Sequence, residues 1–216
     1  MQGNVPFKQY IMFDHQRLHP EIHYWENVIS YPEELVQFIN KIDEEVESYS
    51  RISKWENWTA SNDQSLVYGK TKIVNKASLK ETTGSEIIDR KTLYIANSLI
   101  MAFEMCTERY FQMLGVGTHG YELDLNRIPI KQWYEGQSMG PHFDGQDGNS
   151  DLAFSLVAYL NDDYEGGEIH FPNQNITIKP KAGSLIMFPS QEPYIHEVKT
   201  ITSGTRYMSP AHIYKR

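Results

Sequence analysis

Leu152-Ala153-Phe154-Ser155-Leu156-Val157-Ala158-Tyr159-Leu160, closed by Asn161 and Asp162, has the length and the ending of a β-strand. The pattern repeats on either side of it. Leu123, Leu125 and Ile128 to Trp133 lie upstream; Glu168 to Phe171, Ile176 to Ile178, Ser184 to Phe188 and Thr205 to Tyr214 lie downstream, each set off by Gly, Pro, Asn or Asp. Many short strands with polar turns predict a double-sheet jelly roll of the cupin-like kind. Asp162 to Gly167 reads as a hairpin turn, and Gly145 to Asp151, a run of small and polar residues, as a mobile loop.

The first half reads differently. Ser30 ahead of Pro32 and Glu33 is a helix start, and Leu35, Ile39, Ile42 and Val46 follow at helical spacing, which predicts a helix over 31–49. A second periodic stretch over 85–114 carries Ile88, Ile95, Leu99 and Phe103 and is stopped by Gly115 and Gly117. Asn27-Val28-Ile29 reads as a short strand. Residues 55–84 are rich in Ser, Thr, Asn, Lys and Gly, with Trp55, Trp58 and Tyr68 among them. A polar connection this long reads as a mobile substrate loop whose aromatics either form an apolar underside for a substrate or anchor it to the core. The expected class is α+β, mainly β, as one domain over 1–216. Residues 1–118 are a helical support for a jelly roll over 119–216.

With 216 residues the chain can bury one substantial core. A net charge of −8 and a pI near 5.5, with no basic stripe, disfavour nucleic acid as partner. Lys70, Lys72, Lys76 and Lys80 fit a solvated segment better than a phosphate groove. One cysteine, Cys106, excludes an intrachain disulfide, suits a cytoplasmic setting and reads as a packed helix residue rather than a nucleophile. The N-terminus, Met1 to Pro6, lacks the pattern of a signal peptide, and no apolar run is long enough for a membrane helix.

Chemistry concentrates at Gly140-Pro141-His142-Phe143-Asp144-Gly145. On a strand, residues i and i+2 share a face, so His142 and Asp144 can reach one metal ion, and the distant His196 completes a set of two imidazoles and a carboxylate. Three such ligands on one octahedral face leave three positions open, as in non-haem Fe(II) oxygenases. His-x-Asp alone also fits ordinary loop residues. His170 is expected to face solvent or to lie behind the ligands. His119 and His212 have weaker claims, and Pro20 interrupts the helix that a site from His15, His19 and His23 needs.

The surrounding text is more specific. Tyr134-Glu135-Gly136-Gln137 precedes Pro141-His142-Phe143-Asp144; Val157-Ala158-Tyr159-Leu160-Asn161-Asp162 and Glu165-Gly166-Gly167-Glu168-Ile169-His170-Phe171-Pro172 follow. Then come Pro180 to Phe188, His196-Glu197-Val198 and Gly204-Thr205-Arg206-Tyr207. In this order the motifs resemble the 2-oxoglutarate-dependent Fe(II) oxygenases, in their prolyl 4-hydroxylase-like branch, over roughly residues 120 to 216.

The resemblance implies the double-stranded β-helix form of the jelly roll, with Fe(II) on His142, Asp144 and His196 and no catalytic residue beyond the metal centre. 2-Oxoglutarate and O2 are consumed, succinate and carbon dioxide are released, and ascorbate is also expected. Arg206 sits where the family places the basic residue for the far carboxylate of 2-oxoglutarate, and guanidinium matches a carboxylate bidentately. Tyr159 and Tyr134 lie where the family places hydroxyls near the cosubstrate; both also fit as core aromatics. A carboxylate at 144 argues for hydroxylation over halogenation. The implied acceptor is a prolyl residue of a peptide or protein. A free amino acid is the alternative, followed by nucleic-acid demethylation and an inactive binding jelly roll. The sequence leaves oligomeric state open.

Overall fold

The computed structural model describes residues 14–45, 52–59, 66–82, 84–146 and 148–216. In chain order its elements are β1 (Asp14–His19), β2 (Ile22–Glu26), α1 (Pro32–Glu45), β3 (Glu56–Thr59), β4 (Val67–Asn75), α2 (Glu86–Leu114), β5 (Tyr121–Asp124), β6 (Arg127–Tyr134) and β7 (Met139–His142). They continue with β8 (Leu152–Tyr159), β9 (Glu165–Gly166), β10 (Ile169–Phe171), β11 (Ile176–Ile178), β12 (Leu185–Pro189), β13 (His196–Val198), β14 (Ile201–Ser203) and β15 (Thr205–Lys215).

Both helices form for the local reasons the sequence gives. Pro32 supplies a fixed φ at the first position of α1, Glu33 and Glu34 face the positive end of the dipole, and Leu35, Ile39 and Ile42 are fully buried at helical spacing. Residues 46–49, expected to prolong α1, lie outside the described residues. α2 starts after Ser85 and ends where Gly115 takes the left-handed conformation, φ 66° and ψ 25°, with its N–H donated back to Gln112 and Phe111 carbonyls.

The strands form a nine-stranded sheet in the order β1-β2-β12-β8-β15-β6-β4-β3, with β5 pairing with β15. A four-stranded sheet, β11-β10-β13-β7, and the pair β14-β9 accompany it. The central strands are apolar on both faces, and period-2 alternation divides them between two cores. Leu156 and Ala158 of β8 and Leu185 and Met187 of β12 pack against helix residues such as Ile39 and Leu99. The intervening Tyr159, Ile186 and Phe188 pack against Ile169 and Phe171 of the small sheet. Helices, large sheet and small sheet are therefore three layers, with the jelly roll formed by the two sheets. Each fully buried Leu, Ile or Phe stabilises this arrangement by about 1.5–3 kcal/mol.

Four readings of the sequence are corrected. Residues 27–29 are not a strand: Asn27 turns the chain at φ 59°, and the N–H groups of Val28 and Ile29 both donate to the Gly183 carbonyl. Gly183 itself has φ +74°, and a Cβ there would lie 2.8 Å from the Ile29 carbonyl oxygen, so the docking requires glycine. Residues 55–84 are not a loop: β3 and β4 lie within them, and β4 runs antiparallel to β6 from Lys70 opposite Gln132 to Asn75 opposite Arg127. The N-terminal half is not only a helical support, since β1 to β4 all belong to the large sheet. Asp162 to Gly167 is not a hairpin turn; the chain passes there from β8 in the large sheet to β10 in the small one, pairing at β9 with β14 on the way.

The polarity of β3 and β4 explains why they read as loop. β3 is the short edge strand, polar on its outer face, and its neighbour β4 buries a lysine, Lys72, whose ammonium donates to the Ile39 carbonyl at 3.3 Å. No helix among the described residues is long and apolar enough to cross a membrane.

Candidate functional site

His142 is the last residue of β7 and His196 the first of β13, and the two are directly opposed in the antiparallel pair. Their rings lie 4.3 Å apart between centroids. The His142 Nδ1–H donates to the Gly140 carbonyl at 2.9 Å, which fixes the tautomer and leaves Nε2 as the ligating atom. Asp144 is not on a strand, contrary to the reading of a shared strand face: β7 ends at His142 and the chain turns at Asp144 and Gly145. The turn is held by the Gly145 N–H donated to the Ser190 carbonyl at 2.8 Å. It carries Asp144 Oδ1 to 3.6 Å from His142 Nε2 and 3.8 Å from His196 Nε2. One donor atom from each of the three lies within 4.8 Å of the others, and no other such group is found among the described residues. Two metal–ligand bonds of about 2.1 Å span these separations.

Electrostatics favours a cation there. Burial works against the Asp144 carboxylate, but His142, His196 and the Ser155 hydroxyl outweigh it and hold the carboxyl far below the usual range. Ser155 Oγ donates to Asp144 Oδ2 at 2.5 Å and also contacts Ser190 Oγ at 2.7 Å, so the carboxylate is oriented from behind. Burial lowers His196, which keeps its imidazole neutral as a ligand must be.

A cavity of about 800 Å³ runs from this triangle to Arg206. On β15, Arg206, Met208, Pro210 and His212 alternate onto the cavity face, while Tyr207 and Ala211 pack toward the helices. Arg206 is 1% exposed, with its guanidinium carbon 5.2 Å from the Trp133 ring centroid and 5.1 Å from that of Tyr159. Its Nε and Nη1, the Tyr159 hydroxyl and the Trp133 indole Nε1 are all buried without a hydrogen-bond partner among the described residues. Buried polar groups are almost always paired, so this cluster of donors fits an anionic ligand group. Burial pushes the Tyr159 phenol up to about 12 despite the pull of Arg206, so it stays a protonated donor.

Tyr134, expected beside Tyr159, does not line the cavity. Arg206 is opposed by Trp133, so Trp133 and Lys131 face inward and Tyr134 faces away, its hydroxyl donated to Gln132. Trp58 and Tyr68 reach the cavity wall, with rings 5.1 Å apart. Trp55 does not: it packs on Tyr207 and beneath the Lys72 ammonium on the helix side. His170 is held by Thr177 Oγ1 at 2.8 Å, outside the triangle, and His15 and His23 meet across β1 and β2 at 3.1 Å.

The sequence reading missed Trp133, Lys131 and Ser155 as cavity residues and discounted His212. Alternation counted from Arg206 and Tyr159 finds His212 and Ser155, whereas Trp133 and Lys131 need the register of β6 against β15. Burial pushes the Lys131 ammonium down to about 7, with Asp144 drawing it up and Arg206 pushing it further down.

The family model of the 2OG-Fe(II) oxygenase superfamily matches residues 128–214, the stretch that carries both ends of the cavity. The individual relatives are hydroxylases, prolyl hydroxylases among them. A PKHD-type hydroxylase of Acaryochloris marina is 36% identical over 90 residues, 39% of this chain and 40% of that protein. Human prolyl 3-hydroxylase 2 is 41% identical over 58 residues, 24% of this chain and 8% of that protein. The chain thus spans about 40% of the length of the first of these relatives and far less of the second. A Trichoplax adhaerens prolyl hydroxylase, solved with a hypoxia inducible factor peptide fragment, superposes with a TM-score of 0.61 at 18% identity, over 91% of this chain and 84% of that one. That likeness establishes the jelly-roll fold. The match to this superfamily implies Fe(II), 2-oxoglutarate and O2, and the triangle and the Arg206 cluster fit the first two.

Proposed function

We propose that this chain is an Fe(II)- and 2-oxoglutarate-dependent dioxygenase that hydroxylates an unactivated C–H bond of a prolyl residue in a peptide or protein, releasing succinate and carbon dioxide. One observation carries the reading: a triangle of two imidazoles and a carboxylate shares a cavity with a buried guanidinium that has unpartnered N–H groups. Iron with 2-oxoglutarate and O2 supplies the oxidising power when bound.

The chain supplies position. His142, Asp144 and His196 hold the metal from one side, Ser155 fixes the carboxylate, and Arg206 with the Tyr159 hydroxyl anchors the far carboxylate of the cosubstrate. The Trp133 indole N–H is a further donor for the same ligand, in the role first expected of Tyr134. The prolyl hydroxylase relatives support proline as target, and the wall formed by Trp58 and Tyr68 supports an apolar ring beside the metal. Ascorbate as auxiliary reductant, a cytoplasmic setting and action as a single domain over 1–216 belong to the same proposal.

The test is anaerobic addition of Fe(II) and 2-oxoglutarate, followed by the visible charge-transfer band of the chelate. The band is expected in the wild type and absent in His142→Ala. With O2 admitted, proline-containing peptides are expected to raise succinate formation above the uncoupled rate, and free proline much less. Iron binding without a band or 2-oxoglutarate consumption overturns the enzyme reading; equal stimulation by free proline overturns the peptide.

A further inference from the structure

Lys131 is a second basic side chain in the cavity besides Arg206. It lies on β6 two residues before Trp133, opposite Met208 of β15, and so projects from the same face as Trp133. Its Nζ is 3.2 Å from the centroid of the Trp58 ring, and neither an ion pair nor a hydrogen bond holds it among the described residues. An aromatic face stabilises an ammonium without satisfying its three N–H donors.

The charges of the cavity indicate what satisfies them. With Lys131 protonated, the charged side chains among the described lining residues are Lys131, Arg206 and Asp144, which leaves one positive charge in excess. A dication on the triangle and a dianionic cosubstrate on Arg206 cancel, so the excess persists in the loaded site. A partly buried, unpaired ammonium is unfavourable until an anion joins it. One carboxylate balances the site, whereas a phosphate monoester carries about two negative charges and overshoots.

We propose that Lys131, seated on Trp58, is the residue that recognises a carboxylate of the acceptor, so that the substrate places an apolar ring against Trp58 and Tyr68 and a carboxylate on the Lys131 ammonium. This deepens the hydroxylase reading and rests on it. The carboxylate has two possible sources, the α-carboxylate of a terminal or free imino acid and an acidic side chain next to the target residue in a peptide.

Two matched pairs of probes separate them: N-acetylproline with N-acetylprolinamide, and acetyl-Pro-Glu amide with acetyl-Pro-Gln amide. Each is titrated calorimetrically into the full chain loaded with redox-inert Zn(II) and 2-oxoglutarate. In the wild type the carboxylate member of at least one pair is expected to bind about tenfold more tightly than its amide, the effect of one charge-assisted hydrogen bond. An advantage in the first pair assigns the α-carboxylate; one in the second assigns the side chain. Lys131→Met is expected to erase the advantage and Lys131→Arg to restore most of it, while 2-oxoglutarate affinity changes less than about threefold. Lys131→Gln is a second neutral variant should Met disturb folding, and retained 2-oxoglutarate binding reports an intact site.

The proposal is overturned if the wild type shows no preference for either carboxylate, if the preference survives in Lys131→Met, or if the main loss is in 2-oxoglutarate affinity, which assigns Lys131 to the cosubstrate. Failure of wild-type 2-oxoglutarate binding sinks the hydroxylase reading instead, so the two failures are distinguishable.

Discussion

Replacing Arg206 with Met should stabilise the ligand-free protein while abolishing its response to 2-oxoglutarate. The guanidinium is 1% exposed, and two of its nitrogens lack partners among the described residues. Each unsatisfied buried donor costs about 1–3 kcal/mol. Against this, stacking on Trp133 at 5.2 Å and on Tyr159 at 5.1 Å contributes about 0.5–1 kcal/mol per ring, more where desolvated. Met keeps much of the packing of the aliphatic stem and removes the charge. The balance is a gain of about 2 kcal/mol, or about 4–8 °C in Tm for a chain of this size.

Cosubstrate binding moves the other way. A buried carboxylate that loses its partner costs about 3–5 kcal/mol, or about 150- to 5,000-fold in Kd. The assay is thermal unfolding by far-UV circular dichroism, with and without 2-oxoglutarate. Saturation at about 100 times Kd should raise the stability of the wild type by about 2.7 kcal/mol and leave the variant unmoved. A variant that melts several degrees below the wild type yet still shifts with 2-oxoglutarate would refute the reasoning and make Arg206 a structural residue.

The two tryptophans of the 55–84 segment should separate cleanly. Trp55→Ala is expected to cost about 2–3 kcal/mol in denaturant unfolding because Trp55 packs on the helix-side core, whereas Trp58→Ala costs about 1 kcal/mol and instead weakens binding of the carboxylate probes. Ser155→Ala should lower Zn(II) affinity about 10- to 100-fold in chelator competition, because the hydroxyl that orients Asp144 is removed while the three ligands remain. Burial pushes the Cys106 thiol up to about 12 from 9.0, so the native protein should resist thiol reagents near neutral pH and react only on unfolding. In that range the folded state binds the proton that the unfolded state releases, so its contribution is complete below about pH 9 and is lost at about 1.4 kcal/mol per pH unit as pH rises toward 12. Urea unfolding of Cys106→Ser, compared with wild type between pH 8 and pH 10.5, roughly spanning the start of this window, should show a shallower decline.

The chain's local chemistry was legible without coordinates. His142, Asp144, His196 and Arg206 are of types that ligate metal or carboxylate, and ligand type belongs to the residue itself. Ser30 through Ile42 and the run ending at Gly115 encode their helices through caps and periodicity, both local signals. The central strands β8 and β12 are largely apolar on both faces because both faces are covered, and that too is written in composition.

Tertiary structure decided what depends on partners distant in the chain. β3 and β4 read as loop because a strand acquires its status from pairing, and the partner of β4 is β6, more than fifty residues away. Asp144 reaches the imidazoles through a turn pinned by Ser190 rather than along a strand, a difference that i and i+2 spacing cannot reveal. Between the adjacent Trp133 and Tyr134, only the register that sets Arg206 opposite Trp133 determines which one faces the cavity. A slip of one residue would exchange them, because the side-chain period of a strand is two. Lysine is ordinarily a surface residue, so nothing local marks Lys131 as facing the cavity; the sheet carries it there, onto the face of Trp58.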